Sequence, residues 1–446
     1  CDSLIDTVTI DGFTLCNGGG PNYFNSRGGG VFSTYSNVII KNNTIRDNWA
    51  YGWCQDLDAG AGIYIYGGYA LIENNIITGN VVYGEAAKNN TFTSKGKPWG
   101  KGEGGVGIYV ENAKVIIKNN IIQGNRAIEE GDYPSIIYGG GISCIECSSA
   151  VIFNNIIDNN YAYGYRDGQN NYYGGGGAGI YCTPPARIIN NTFVHNKAIS
   201  IWNTASLGHG GGIYCDKGSM VNDSIIIRDN IITFNLADTG GGIFCSDSLD
   251  LSKVLIGYND FYFNMYDELF NVPDGVSNFS WYGPVFRDSF YNINIDPWFV
   301  IGPSGNYYQK DVVDCGDFIV GQEFAGMGNT ADGKPDTGWV DLGYHYKVPI
   351  GIDENSFTRY SNTPIVECYP NPFIKATEIR AWGLGVSEKQ EVKIYDITGK
   401  LVEEARFFAD AQNDRLKIGK NLLPGIYFVK IKGYKPIKVI KLGGVK

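Results

Sequence analysis

The chain has 446 residues with 61 glycines and 31 tyrosines against only 3 methionines and 3 histidines, and no Gly-X-Y triplet, which excludes a collagen-like fibre and points to a turn-rich β protein. Its net charge of −10 is unevenly placed: of 36 Lys+Arg and 46 Asp+Glu, residues 366–446 hold 15 and 9, leaving 21 and 37 for residues 1–365, hence +6 for the tail and −16 for the body. A body at −16 repels phosphate backbones, which excludes nucleic acid as a partner, and without an apolar run of eighteen residues no transmembrane segment is expected.

The chain opens at Cys1 directly in strand-like sequence, Thr7-Val8-Thr9-Ile10, which suggests that a leader and earlier coils precede it. A repeat follows. Glycine-flanked strands recur at Gly28-Gly29-Gly30-Val31-Phe32, Gly60-Ala61-Gly62-Ile63-Tyr64, Gly105-Val106-Gly107-Ile108-Tyr109, Gly139-Gly140-Gly141-Ile142-Ser143, Gly177-Ala178-Gly179-Ile180-Tyr181, Gly210-Gly211-Gly212-Ile213-Tyr214 and Gly240-Gly241-Gly242-Ile243-Phe244. Asn pairs keep step at Asn42-Asn43, Asn74-Asn75, Asn119-Asn120, Asn154-Asn155 and Asn190-Asn191, then Asp229-Asn230 and Asn259-Asp260.

The shortest unit, Gly210 to Gly240, is 30 residues and holds three strand-like pieces, too little to bury a face alone. Stacking such units as coils at one strand spacing, about 4.8 Å, turns every inward position into a ladder. Asn suits the bends because it tolerates left-handed backbone and because stacked amides hydrogen-bond along the axis. Period-two alternation puts Ile142 and Cys144 inward together with Ile180 and Cys182, Ile213 and Cys215, and Ile243 and Cys245. It puts Phe32, Tyr64, Tyr109, Tyr181, Tyr214 and Phe244 outward as an aromatic stripe, interrupted at Ser143.

The insertions leave one corner, after the strand ending in Asn and before the next glycine block, at residues 49–59, 81–104, 126–138, 161–174 and 197–209. They carry the candidate binding residues Trp49, Tyr51, Trp53, Tyr83, Trp99, Tyr133, Tyr161, Tyr163, Tyr165, Tyr172 and Trp202. Aromatic rings among small polar residues offer a large contact area at low entropy cost, which suits sugars or protein interfaces; the competing reading is a mini-core of loops folded on each other. No cofactor is expected; calcium is the one ion considered, with weak candidates in Asp56, Asp58, Glu129, Glu130 and Asp132, although nothing matches an EF-hand or a nonapeptide calcium repeat.

Catalysis by two clustered carboxylates is not foreseen, because Asp47, Glu73, Asp158 and Asp229 fall on different repeat positions and read as solvated surface. His195 and His345 lack a metal-spaced partner and read as structural. Cys144, Cys182, Cys215 and Cys245 share one repeat position and read as a buried thiol ladder, Cys144 and Cys147 form a lone CxxC, and any disulfide is expected among Cys1, Cys16 and Cys54.

The glycine and Asn period resembles the bacterial right-handed parallel β-helix family, the superfamily of pectate lyases and of many surface proteins. The resemblance covers residues 1–348 and implies an all-β solenoid of about eight coils. Within it Gly208-His209-Gly210 resembles a short polygalacturonase element, but the companion Asp motifs are absent. Asp296-Pro297-Trp298-Phe299 and Asp341-Leu342-Gly343-Tyr344-His345-Tyr346 look like the closing segment that caps the open coil end.

Residues 349–365, with Pro349, Gly351, Ser356, Ser361 and Pro364, read as a linker. In residues 366–446, Tyr369-Pro370-Asn371-Pro372-Phe373, the alternating Glu391–Ile397 strand with its Thr398-Gly399-Lys400 turn, and Leu423-Pro424-Gly425 leading into Ile426–Ile431 suit a small immunoglobulin-like β-sandwich. The same segments resemble the C-terminal sorting domain of type IX secretion, which implies the secretion machinery as a partner and an extracellular or outer cell-surface location. The function expected from this set is a structural or adhesive surface protein that binds glycans or assembles with itself through the aromatic loop face and coil ends. The alternative is a polysaccharide lyase or glycoside hydrolase.

Overall fold

The computed structural model divides into two compact units, Cys1–Val348 and Pro349–Lys446. It describes residues 6–19, 28–53, 60–85, 105–129, 138–164, 175–200, 208–219, 223–265, 269–273, 288–302, 305–309, 315–316, 327–328 and 340–347 of the first, and 365–369, 377–382, 389–396, 400–408, 415–431 and 437–441 of the second.

In the first unit every coil-to-coil strand pairing is parallel and in register. The glycine strands stack as Ile63, Ile108, Ile142, Ile180, Ile213 and Ile243, each directly over the last. A second strand follows in each coil; in two coils it fuses with the first into single eleven-residue strands, Val31–Lys41 and Ile63–Glu73, so that first and second strands make one fourteen-stranded sheet. The third strands, from Thr14–Cys16 to Asp260–Tyr262, form an eight-stranded sheet, which counts the coils. The fourth, from Trp49–Trp53 to Leu236–Ala237, form a six-stranded sheet.

The glycine block has a local reason. Its first residue takes a left-handed conformation, as at Gly60 (φ 64°) and Gly177 (φ 58°). Its third passes so close to the next coil that a Cβ on Gly141 or Gly212 would lie 2.6 Å from the carbonyl oxygen of Gly179 or Gly242. The middle position is free of both demands in three coils, where Ala61, Val106 and Ala178 stand.

Two amide ladders hold the bends. In the first, Asn43, Asn75, Asn120, Asn155, Asn191, Asn230, Asn259 and Asn292 are buried one above another. Asn75 Oδ1 accepts from the backbone N–H of Asn43 (2.9 Å) and from its side-chain amide (3.0 Å), while Asn75 Nδ2 donates to the Ile40 carbonyl (2.8 Å) and to Asn120 Oδ1 (3.0 Å). The residue before each rung supplies the left-handed turn, as Asn42 does at φ 56°. Asn48, Asn80, Asn125, Asn160, Asn196, Asn235 and Asn264 repeat the scheme at the next bend. Each side-chain amide thus donates to a carbonyl of the earlier coil and to the amide oxygen of the later one, and at the last rung of the first ladder the Asp288 carboxylate takes the place of the next Asn, accepting from Asn292 N and Nδ2 at 2.9 Å each. The two N–H donors stabilise the negative charge there. The first coil offers Phe13 and Gly18 at the rung positions, where their backbone N–H groups donate to Asn43 and Asn48.

The tube is filled by Ile, Val and the thiols of Cys144, Cys147, Cys182, Cys215 and Cys245, all fully buried and free. Hydrogen bonding to Cys147 and burial raise the Cys144 thiol well above its ordinary pKa, and contacts with Cys182 and Cys245 together with burial do the same to Cys215. The thiol ladder is thus present as read. Cys16 is a half-buried free thiol, and Cys1 and Cys54 lie outside the described residues.

The outward position of the aromatic stripe holds, and two other expectations are corrected. The aromatic stripe is outside the tube but not exposed: its rings stack at the coil rise, Phe32–Tyr64 at 5.3 Å, Tyr64–Tyr109 at 5.1 Å, Tyr214–Phe244 at 4.9 Å and Phe244–Phe270 at 5.1 Å. The rings at its two ends are the most open, Phe32 at 40% and Phe270 at 39% exposure. Tyr138 fills the break at Ser143, 4.3 Å from the Tyr181 ring. Asp229, read as solvated, is fully buried. Residues 340–347 do not cap the coil end but run back along the outside of the third-strand sheet: Gly343 N donates to the Asp229 carbonyl, Tyr344 N to Thr192 Oγ1, and Asn154 Nδ2 to the His345 carbonyl at 2.9 Å each. Leu342 packs with Ile231 and Ile293, and Tyr346 with Tyr308 and Ile156, so this strap covers the apolar outer positions of the later coils.

The second unit is two antiparallel sheets. One joins Ile365–Tyr369, Thr377–Trp382 and Arg415–Ile418; the other runs Leu401–Phe408, Lys389–Asp396, Gly425–Ile431, Ile437–Lys441. Val392, Ile394, Val429 and Ile418 are buried, as a small β-sandwich requires.

Candidate functional site

The fourth-strand sheet borders the corner from which the insertions leave. Its inward positions are small, Ala50, Val82, Ala127, Ala162, Ala198 and Ala237, so the bend closes tightly. Its remaining register positions form two columns along the axis: Trp49, Val81, Arg126, Tyr161, Lys197 and Leu236, then Tyr51, Tyr83, Ile128, Tyr163 and Ile199. Register therefore brings Trp49, Tyr51, Trp53, Tyr83, Tyr161 and Tyr163 onto one sheet, although the side chains of Tyr51, Trp53 and Tyr83 lie outside the described residues. Trp99, Tyr133, Tyr165, Tyr172 and Trp202 are outside them altogether. So are Asp56, Asp58, Glu130 and Asp132, whereas Glu129 is described by its backbone alone, opposite Gly84.

Trp49 is half-buried, and Gly19 lies on its indole so closely that a Cβ there would be 2.3 Å from the ring. Tyr161 carries the Arg126 guanidinium at 5.3 Å and the Lys197 ammonium at 5.5 Å from its ring centroid, one from the coil before and one from the coil after. Its ring stacks on Tyr163 at 5.3 Å, and its hydroxyl donates to Asn159 Oδ1 at 2.6 Å. Burial, with Tyr161 beside it, raises the Tyr163 hydroxyl pKa. The faces of Tyr161 are therefore occupied, and what the strip offers outward is ring edges and two cations. Ion pairs among the described residues join Lys41 to Asp11, Arg46 to Asp47, Lys118 to Glu73 and His195 to Asp158; Arg126 and Lys197 enter none of them. Sequence reading found the rings but missed the cations, whose signal was their rung equivalence to Tyr161.

A second grouping lies on coils carrying the glycine strands of Tyr181, Tyr214 and Phe244. The Asp216 carboxylate accepts from Tyr181 Oη at 2.9 Å, Ser246 Oγ at 2.7 Å and Lys217 N at 2.8 Å. The His209 ring stacks on Phe244 at 4.3 Å, and burial lowers its pKa against the pull of Asp238 and Asp247, so the imidazole is neutral near pH 7. Asp238 accepts from Gly208 N at 2.7 Å. The two carboxylates stand at opposite ends of neighbouring glycine strands, Asp216 after Cys215 and Asp238 ahead of Gly240. His195 stacks on Phe234 at 5.7 Å and contacts Asp158; His345 is buried with Nδ1 2.9 Å from the Gly343 carbonyl. Among the described residues no group of three or more His, Cys, Asp or Glu is placed to hold a metal ion.

Comparison with protein families matches residues 6–207 to the right-handed β-helix region and residues 367–442 to the secretion system C-terminal sorting domain. Comparison with curated proteins and with solved structures gives no match. Among the described residues no helix is long and apolar enough to cross a membrane. The parallel coils, the antiparallel module and the two matches agree: this is a right-handed parallel β-helix protein bearing a type IX secretion sorting domain, exported to the cell surface or the extracellular space.

Proposed function

We propose that the exported β-helix is a non-enzymatic surface scaffold whose fourth-strand flank, with its insertion loops, binds glycans that carry acid groups. The observation behind this reading is the strip of Arg126, Tyr161, Lys197 and Tyr163: two cations that enter no ion pair among the described residues, fixed two coils apart on either side of a ring. Ring edges and sugar C–H groups supply contact area, and the cations meet carboxylates or sulfates. Trp49 and Tyr161 have covered faces, so they meet a ligand by their edges.

End-to-end assembly through coil ends is not part of this reading. The first ladder closes on Asp288, and Phe13 and Gly18 send no side-chain amide toward another coil. Binding of the full chain to alginate and to a neutral glucan, measured by calorimetry, tests the proposal. Alginate binding that weakens at least tenfold in Arg126→Ala/Lys197→Ala and several-fold in Tyr163→Ala supports it; no binding to either polymer removes it.

A glycoside hydrolase reading draws on Asp216, Asp238 and His209 around the Tyr214–Phe244 stack. Release of reducing ends from a polysaccharide, lost in Asp238→Asn, would promote it over the scaffold.

A further inference from the structure

Among the described residues the sorting module carries a sheet face that its other strands do not cover. In its four-stranded sheet, alternation sends Val392, Ile394, Tyr427 and Val429 into the sandwich. The opposite face then presents Leu401, Tyr395 and Phe428 in one row across three adjacent strands, Tyr395 being in register with both neighbours. Leu401 is 43% and Phe428 37% exposed, with Val402 beside them at 39%. The adjacent row across the same strands is Glu404, Lys393 and Lys430. Lys400 and Lys430, both exposed, flank the apolar row in sequence.

A continuous apolar row on an open sheet face marks an interaction site, because nothing in the sandwich is stabilised by leaving it uncovered. Two observations say what covers it. The module belongs to a sorting domain, whose role is to be recognised by the export machinery. Its charge is +6 on a protein whose remainder is −16, so the partner that selects the module over the body it carries is acidic. We infer that the outer face centred on Leu401, Tyr395 and Phe428 is the surface gripped by the secretion machinery, in an apolar pocket with an acidic rim that meets Lys400 and Lys430. The apolar row supplies affinity, and the lysines supply orientation and encounter rate.

The test uses the full chain produced in a bacterium with a type IX system, with exported and retained fractions measured by quantitative immunoblot. Leu401→Ser/Phe428→Ser is expected to export less than a tenth of the parental amount, and Lys400→Glu/Lys430→Glu several-fold less than the parent. Both purified variants should unfold thermally with the parent, since the changed side chains are exposed. If the Ser pair proves unstable, the Glu pair and Phe428→Lys carry the decision. Parental export by the stable variants overturns the inference, and does so separately from the sorting role if deletion of residues 366–446 still blocks export. A change from dimer to monomer by light scattering, with export intact, would assign the face to self-association and equally overturn it.

Discussion

Two bends of the same coil behave in opposite ways. The bend between second and third strands is two residues long in every repeat, while the bend after the fourth strand accepts insertions of very different length. The first is pinned by a buried amide that serves the coil below and the coil above; one added residue would leave several polar groups unpaired on both sides. At the other, Ala-lined strands simply end at the outside of the tube. Stacking fixes what every coil must share, and freedom to vary collects where no ladder passes.

Substitutions can break that contrast. The largest effect is expected at mid-ladder: Asn191→Leu removes the side-chain acceptor of the Asn155 backbone N–H, one acceptor of the Asn155 amide and the side-chain donor to the Ile152 carbonyl, and should destabilise the body by about 3 kcal/mol or more in denaturant unfolding. Gly212→Ala forces a methyl against the Gly242 carbonyl and should cost roughly 1–3 kcal/mol by the same measurement. On the permissive flank, Lys197→Ala should change stability by less than about 0.5 kcal/mol. Equal losses at Asn191 and Lys197 would erase the distinction.

The strap allows a pH test. Burial pushes the Tyr344 hydroxyl up to about 12 and raises Tyr307 and Tyr346 further, from an ordinary value of 10.0. Their neutral forms are favoured by folding, so this contribution is complete below pH 10 and is lost as pH rises through the folded values. Absorbance titration should show these tyrosines ionising later than exposed ones, and Leu342→Ala, which loosens the strap, should bring part of that late phase forward.

Much of the fold was legible because the repeat states it many times. Gly-X-Gly blocks and Asn pairs gave register, coil number and the inward thiols. Alternation alone tells which side of a strand a ring occupies, but not whether the rings above and below bury it; hence the stripe of Tyr64 and Tyr109 was read as outward and found covered. Asp229 misled similarly, since the strap that buries it arrives from residues 340–347, over a hundred positions later and without a repeat to announce it. The candidate flank was half legible: rings stand out by composition, whereas Arg126 and Lys197 acquire meaning only through their rungs beside Tyr161.

The most direct test of the stacked tube is thiol accessibility. Alkylation of the native, full-length protein followed by peptide mass spectrometry should leave Cys144, Cys147, Cys182, Cys215 and Cys245 unmodified until denaturant is added, with the half-buried Cys16 and Cys315 labelled before them. Labelling of Cys182 and Cys215 in the native protein at the rate of Cys16 would contradict the in-register stack.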